Sequence, residues 1–183
     1  MKIDIAGKQV QEHYKWLESK LKTYSKDPNV AWLGIVMHHP LFIEPGMKKD
    51  LLPLLTKYKV DMAFVGHSHM FEYANIGYKD KIRFPGKKHG PVIDNCDKAQ
   101  KEIMNTKSRT QTFKKGKILH EFMVGSSGTK LKKICPYHDQ DGKVYFQNVK
   151  EHGMMAVEVN SKKFVAKYYE GVDNLVYEII INA

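Results

Sequence analysis

Asp61-Met62-Ala63-Phe64-Val65-Gly66-His67-Ser68-His69 decides how this chain is read. An apolar run short enough for one buried strand ends at a glycine and then delivers two histidines one residue apart. If the segment stays extended past Val65, alternate side chains face one way and both imidazoles aim at one point. Neutral imidazole is the commonest side-chain metal ligand. About thirty residues upstream, the apolar run Ala31–Val36 ends in Met37-His38-His39-Pro40. Two strand ends that each deliver histidine are the outline of half a metal site.

The segments between and around them fit an α/β core. Val10, Tyr14, Leu17 and Leu21 recur at helical spacing, which predicts an amphipathic helix over residues 8–24, stopped by Asp27-Pro28-Asn29. Met47, Leu51, Leu54, Leu55 and Tyr58 mark a second helix, with Pro53 near its first turns. Strand, helix, strand in this order predicts a parallel pair with a crossover helix. Ala31–Val36 reads as a strand covered on both faces. Ligands of such sheets gather at the carboxyl ends of the strands, where both histidine motifs fall. Further on, 118–124, 144–147, 154–159, 164–169 and 175–181 are strand-like. Asn160-Ser161-Lys162 and Glu170-Gly171-Val172-Asp173 between the last three read as hairpin turns.

These motifs, taken in order, resemble the calcineurin-like metallophosphoesterases, and among them the purple acid phosphatases of the tartrate-resistant type. G-H-x-H after a strand and M-H-x-P after another are shared signatures. Val10–Glu18, Leu51–Val60 and Phe122-Met123-Val124-Gly125-Ser126-Ser127-Gly128 are similar to family segments in the same order. The resemblance implies a partial metallophosphoesterase sandwich, a parallel βαβ core followed by an antiparallel β meander. It implies hydrolysis of phosphate monoesters at a dinuclear metal centre, iron with iron, zinc or manganese. Two cations about 3.5–4 Å apart suit that chemistry, because together they bind phosphate oxygens and stabilise charge in an in-line displacement. Carried onto this sequence, His38 and His67 fall to the divalent ion and His69 to the ferric ion. His39 is read as lining the substrate pocket. Gly66 is read as the residue that lets the backbone turn below the metals.

The family's aspartate-bearing motifs, its tyrosinate ligand, its asparagine and its catalytic histidine have no counterpart here. The expectation is therefore a C-terminal portion of one phosphatase domain, incompletely ligated and inactive alone, for which the missing N-terminal half is a partner. The alternative is a non-catalytic binding or scaffold remnant of the same fold. Although the family is often secreted or lysosomal, Met1–Val10 shows no charged-then-apolar signal segment, and no apolar run is long enough for a membrane span.

The 183 residues carry a formal charge of +10. Lys79–Lys117 holds twelve Lys or Arg against four acids, about +8 of that excess. It reads as a basic insertion, expected to be the least ordered part from Lys81 to Lys115 and to lie on the histidine side. A solvated loop and an anion-attracting lid are the two main readings. The segment lacks the interleaved aromatics that a nucleic-acid partner calls for. Cys96 and Cys135 are too few for a disulfide scaffold and are expected to be two separate thiols, a bridge requiring an oxidising compartment and close Cα atoms.

Overall fold

In the computed structural model, residues 5–42, 44, 46–80, 95–105, 109–136 and 143–183 are described. Two sheets pack face to face, and helices cover the outer face of the first. That sheet has the order β1-β2-β5-β3-β6, from β1 (Gly34–Val36), β2 (Met62–Val65), β3 (Phe71–Gly77), β5 (Ile118–Val124) and β6 (Lys143–Asn148). β1, β2 and β5 are parallel, while β3 and β6 run antiparallel to their neighbours. The second sheet has the order β4-β9-β8-β7. β4 (Arg109–Lys114) is parallel to β9 (Asn174–Asn182), and β7 (Gly153–Val159), β8 (Lys163–Glu170) and β9 form an antiparallel meander. The expected parallel pair and the meander are both present.

Period-2 alternation sorts side chains between two cores. Ala63, Val65, Leu119, Met123, Ala74 and Ile76 face the helices α1 (Ile5–Tyr24) and α2 (Leu52–Lys57), meeting Leu21, Leu52 and Leu55. Met62, Phe64, Phe71, Tyr73 and Phe122 face the second sheet, where they meet Phe164, Tyr168 and Tyr177. Phe71 stacks on Tyr168 with ring centres 3.8 Å apart, and Phe146 stacks on Tyr177 at 4.5 Å. Tyr14, Leu17 and Leu21 of α1 pack inward, whereas Val10 is exposed. Before α2 the chain makes a π-helical turn, Met47–Leu51, with the Leu52 N–H reaching the Met47 carbonyl. Pro53 then sits in the first turn of α2, directly after the π-helical turn. No helix of the described residues is long and apolar enough to cross a membrane.

Three expectations change. Only Gly34–Val36 of the upstream apolar run pairs as strand, and it is the sheet's edge, with Val36 83% exposed instead of covered. Residues 31–33 are bonded elsewhere: the Leu33 N–H donates to Asp61 Oδ2 at 2.9 Å, the Ala31 carbonyl accepts from Lys115 Nζ, and Trp32 Nε1 donates to the Asn160 carbonyl at 2.6 Å. Cys96 and Cys135 are bridged, with Cα atoms 5.5 Å apart and both residues buried. The described parts of the basic segment are packed. α3 (Lys98–Met104) is capped by Asp97 and Gln100, Ile103 and Met104 lie against the helix-side core, and Phe113 of β4 lies against the inter-sheet core. Residues 81–94 and 106–108 of that segment lie outside the described residues.

Candidate metal centre

β1 and β2 carry their pairing past their ends. The Met37 N–H donates to the Phe64 carbonyl and the Gly66 N–H to the His38 carbonyl, both at 3.0 Å. The two histidine-bearing turns are thus bonded to each other at the carboxyl edge of the sheet. Beyond Gly66 the chain does not stay extended. His67 takes a left-handed backbone, φ 60°, and the N–H groups of Ser68 and Met70 bond two residues back, to Gly66 at 2.7 Å and Ser68 at 2.8 Å. The sharp turn expected at Gly66 falls on His67, whose positive φ costs a non-glycine residue about 1 kcal/mol or more.

That twist, not strand alternation, decides where the imidazoles go. His38, His39 and His67 each bring a ring nitrogen within 4.8 Å of the other two. His67 Nδ1 lies 3.2 Å from His38 Nε2, and the His39 and His67 ring centres are 4.3 Å apart. His39 Nδ1 is buried with no hydrogen-bond partner. Burial, the neighbouring His39 and His38, and the Lys132 charge lower the pKa of His67, while Glu44 raises it. Three clustered nitrogen donors, one of them orphaned, fit a borderline transition-metal cation such as zinc or iron. No carboxylate belongs to this cluster among the described residues.

His69 is not brought into that group. Its Nδ1 faces the Lys130 carbonyl at 3.1 Å, and its own carbonyl accepts the Lys132 N–H at 2.8 Å. An Nδ1–H donated to a carbonyl leaves Nε2 with its lone pair outward, the tautomer a metal-ligating histidine commonly shows.

Two supports of the site are hard to see in the sequence. A Cβ on Gly125, just past β5, would lie 2.0 Å from the Ser68 carbonyl oxygen, so only glycine lets this strand end approach the His67–His69 turn; its N–H donates to the Met70 carbonyl at 3.0 Å. Glu121 is fully buried on the helix side of β5, and its Oε2 accepts the Leu41 N–H at 2.5 Å, which fixes the chain just after His38-His39-Pro40. Burial pushes its pKa up to about 8, with nearby Glu72 pushing the same way and the Leu41 and Phe42 N–H groups and Lys48 opposing. The signal for Glu121 was an acid flanked by apolar residues inside a strand. The Ser126 and Ser127 hydroxyls are engaged, with Tyr168 and with the Gly153 carbonyl.

A two-sheet α/β sandwich with histidine turns at the carboxyl edge is the architecture of purple acid phosphatases. A solved purple acid phosphatase from yellow lupin seeds overlays 93% of this chain with a TM-score of 0.59 at 20% identity, the match covering 28% of that structure. In sequence, 111 residues are 33% identical to probable purple acid phosphatase 20 of Arabidopsis thaliana, 54% of this chain and 24% of that protein. Another 32% identity runs over 77 residues of the Fe(3+)-Zn(2+) purple acid phosphatase 12 of the same plant, 36% of this chain and 16% of that protein. No family model matches. The chain is like a C-terminal part of a purple acid phosphatase, and its matches span about a quarter or less of those relatives' length.

Proposed function

We propose that this chain carries the histidine-bearing part of the metal site of a phosphoric monoester hydrolase. The observation behind this reading is the convergence of His38, His39 and His67 at the carboxyl ends of two parallel strands. His38 and His67 hold one divalent cation, and His69, set apart with Nε2 outward, serves a second. His39 completes the first ion's shell or faces the phosphate. Bound cations would polarise the phosphate ester and neutralise its charge. The carboxylates that a two-cation centre needs come from a segment outside these 183 residues, and by itself the chain binds metal weakly and turns over little. That division is supported by a donor cluster made, among the described residues, of imidazole alone.

The second reading, a non-catalytic remnant of the fold, is favoured by the same lack of a clustered carboxylate among the described residues. Cobalt(II) absorption, zinc competition and hydrolysis of a generic aryl phosphate separate the two. The expected outcome is histidine-dependent cobalt binding that is lost in His38→Ala and in His67→Asn, where asparagine keeps the left-handed backbone accessible. Hydrolysis should rise at least about a hundredfold when an upstream phosphatase half is supplied. Cobalt binding indifferent to both substitutions overturns the metal site; intact binding with no hydrolysis in either form selects the remnant.

A further inference from the structure

Beside the histidine cluster runs a strap of unusual composition, Thr129-Lys130-Leu131-Lys132-Lys133-Ile134-Cys135. Its backbone is fastened at both ends. At the near end it brackets His69, whose ring bonds the Lys130 carbonyl and whose carbonyl takes the Lys132 N–H. At the far end Cys135 is bridged to Cys96, the Ile134 carbonyl accepts Gln147 Nε2 at 3.2 Å, and the Pro136 carbonyl accepts Gln100 Nε2 at 2.6 Å. Three lysines in four residues thus lie on a strap whose backbone is bonded to His69 at Lys130 and Lys132. None of the three enters an ion pair among the described residues, unlike Lys57, Lys115 and Lys167. The Lys132 charge is felt at His67 itself.

Three ammonium groups within four residues, with no ion pair among the described residues, repel one another, and such an arrangement is relieved when an anion enters. A single phosphate at the histidines cannot satisfy them all, because the strap extends away from His69 toward Cys135. We propose that Lys130, Lys132 and Lys133 form a subsite for a second phosphate, so that the substrate is a small molecule carrying two or more phosphoryl groups. One phosphoryl sits at the histidine cluster and another on the strap. The lysines act as point charges with rotatable donors, which suits a mobile phosphate without fixing its orientation. The disulfide lowers the ordering cost of binding, since the strap is already held in place. This subsite rests on the reading of the histidines as a phosphate-binding metal site.

The test uses the full chain with its disulfide intact and zinc added, and calorimetric titration with glucose 6-phosphate and glucose 1,6-bisphosphate. The bisphosphate should bind about tenfold tighter or more, with the steeper salt dependence. Replacing the three lysines together by glutamine should remove that preference without weakening zinc binding, and replacing them by arginine should retain it. Equal affinity for the two sugars, or a preference that survives the glutamine variant, overturns the subsite and leaves the phosphatase reading standing. Failure of both sugars to bind at zinc concentrations that saturate the histidines overturns the subsite together with the phosphate-binding role of the metal site.

Discussion

At the residue scale, the buried ionisable groups give this chain a stability profile of its own. His120 of β5 is 1% exposed, and its Nδ1 takes a hydrogen bond from the Tyr73 hydroxyl at 2.7 Å, which in turn accepts from Asn75. Burial brings its pKa down to about 3. The unfolded chain therefore binds a proton between about pH 6.5 and 3 that the folded chain refuses, and stability falls as pH drops through that window. Glu121 acts in the opposite sense. Its pKa is raised to about 8, so the folded chain holds a proton that the unfolded chain releases above about 4.5, and stability falls as pH rises from there toward 8. The two slopes meet between pH 5 and 6, roughly, where the thermal midpoint should peak. Glu121→Gln should flatten the alkaline side by several degrees and keep the acid-side fall, which His120 supplies. A wild-type midpoint that climbs steadily from pH 5 to 8 contradicts the burial assigned to Glu121. The left-handed His67 and the Cβ-free Gly125 belong to the same scale: one bends the turn, the other lets β5 approach it.

At the element scale, the disulfide stands out, because it joins a segment before α3 to the strap beside His69 across 39 residues of sequence. Closing a loop of that length removes unfolded-state entropy worth about 4 kcal/mol in the chain-entropy account. Reduction, or a Cys96→Ser/Cys135→Ser pair, should lower unfolding free energy by roughly 2–4 kcal/mol in urea titrations. Amide exchange should quicken first in residues 130–136, before β2 and β5 respond. Unchanged exchange there after reduction shows that hydrogen bonds alone hold the strap. α1 and α2 are joined more weakly, by Glu18, which takes hydrogen bonds from Lys57 Nζ at 2.8 Å and the Tyr58 hydroxyl at 2.9 Å. Solvent screens such an exposed contact, so these helices stay in place mainly through Leu21, Leu52 and Leu55.

At the scale of the whole molecule, two of the four sheet edges, β1 and β7, expose apolar side chains. Phe64 and Phe122 of the first sheet meet Phe164 of β8, while Tyr73 and Tyr145 meet Phe113 of β4. β1 and β7 each have a single neighbour in their sheet and so present an edge. Val36 is 83% exposed there, and Met154, Val157 and Val159 are 56%, 42% and 59% exposed. An apolar edge with unpaired backbone groups recruits further strands. The chain should self-associate in a concentration-dependent way by analytical ultracentrifugation. A Met154→Lys/Val157→Lys pair on β7 should shift it toward monomer and leave the far-ultraviolet spectrum intact. A wild-type chain that stays monomeric at high concentration contradicts an adhesive edge.

The sequence by itself determined seven of the nine strands among the described residues, β1, β2 and β5 to β9, in chain order. Apolar runs of strand length ended at recognisable turns, and G-H-S-H after such a run pointed to the purple-acid-phosphatase likeness. The meander from Gly153 to Asn182 was legible because Asn160-Ser161-Lys162 and Glu170–Asp173 punctuate it. β3 and β4 were not legible. Phe71–Gly77 carries Glu72 and Asn75 into buried positions, and Arg109–Lys114 is polar because it lines an edge, so neither shows an apolar run. Only the tertiary structure decided which histidines meet. Local spacing put His67 and His69 together on an extended strand, but the φ of 60° at His67 and the close approach of Gly125 turn His67 toward His38 and His39. The pairing of Cys96 with Cys135 was also decided there: two residues 39 apart come within bonding reach only when α3 and the strap dock on the same core, a long-range condition that no local pattern encodes.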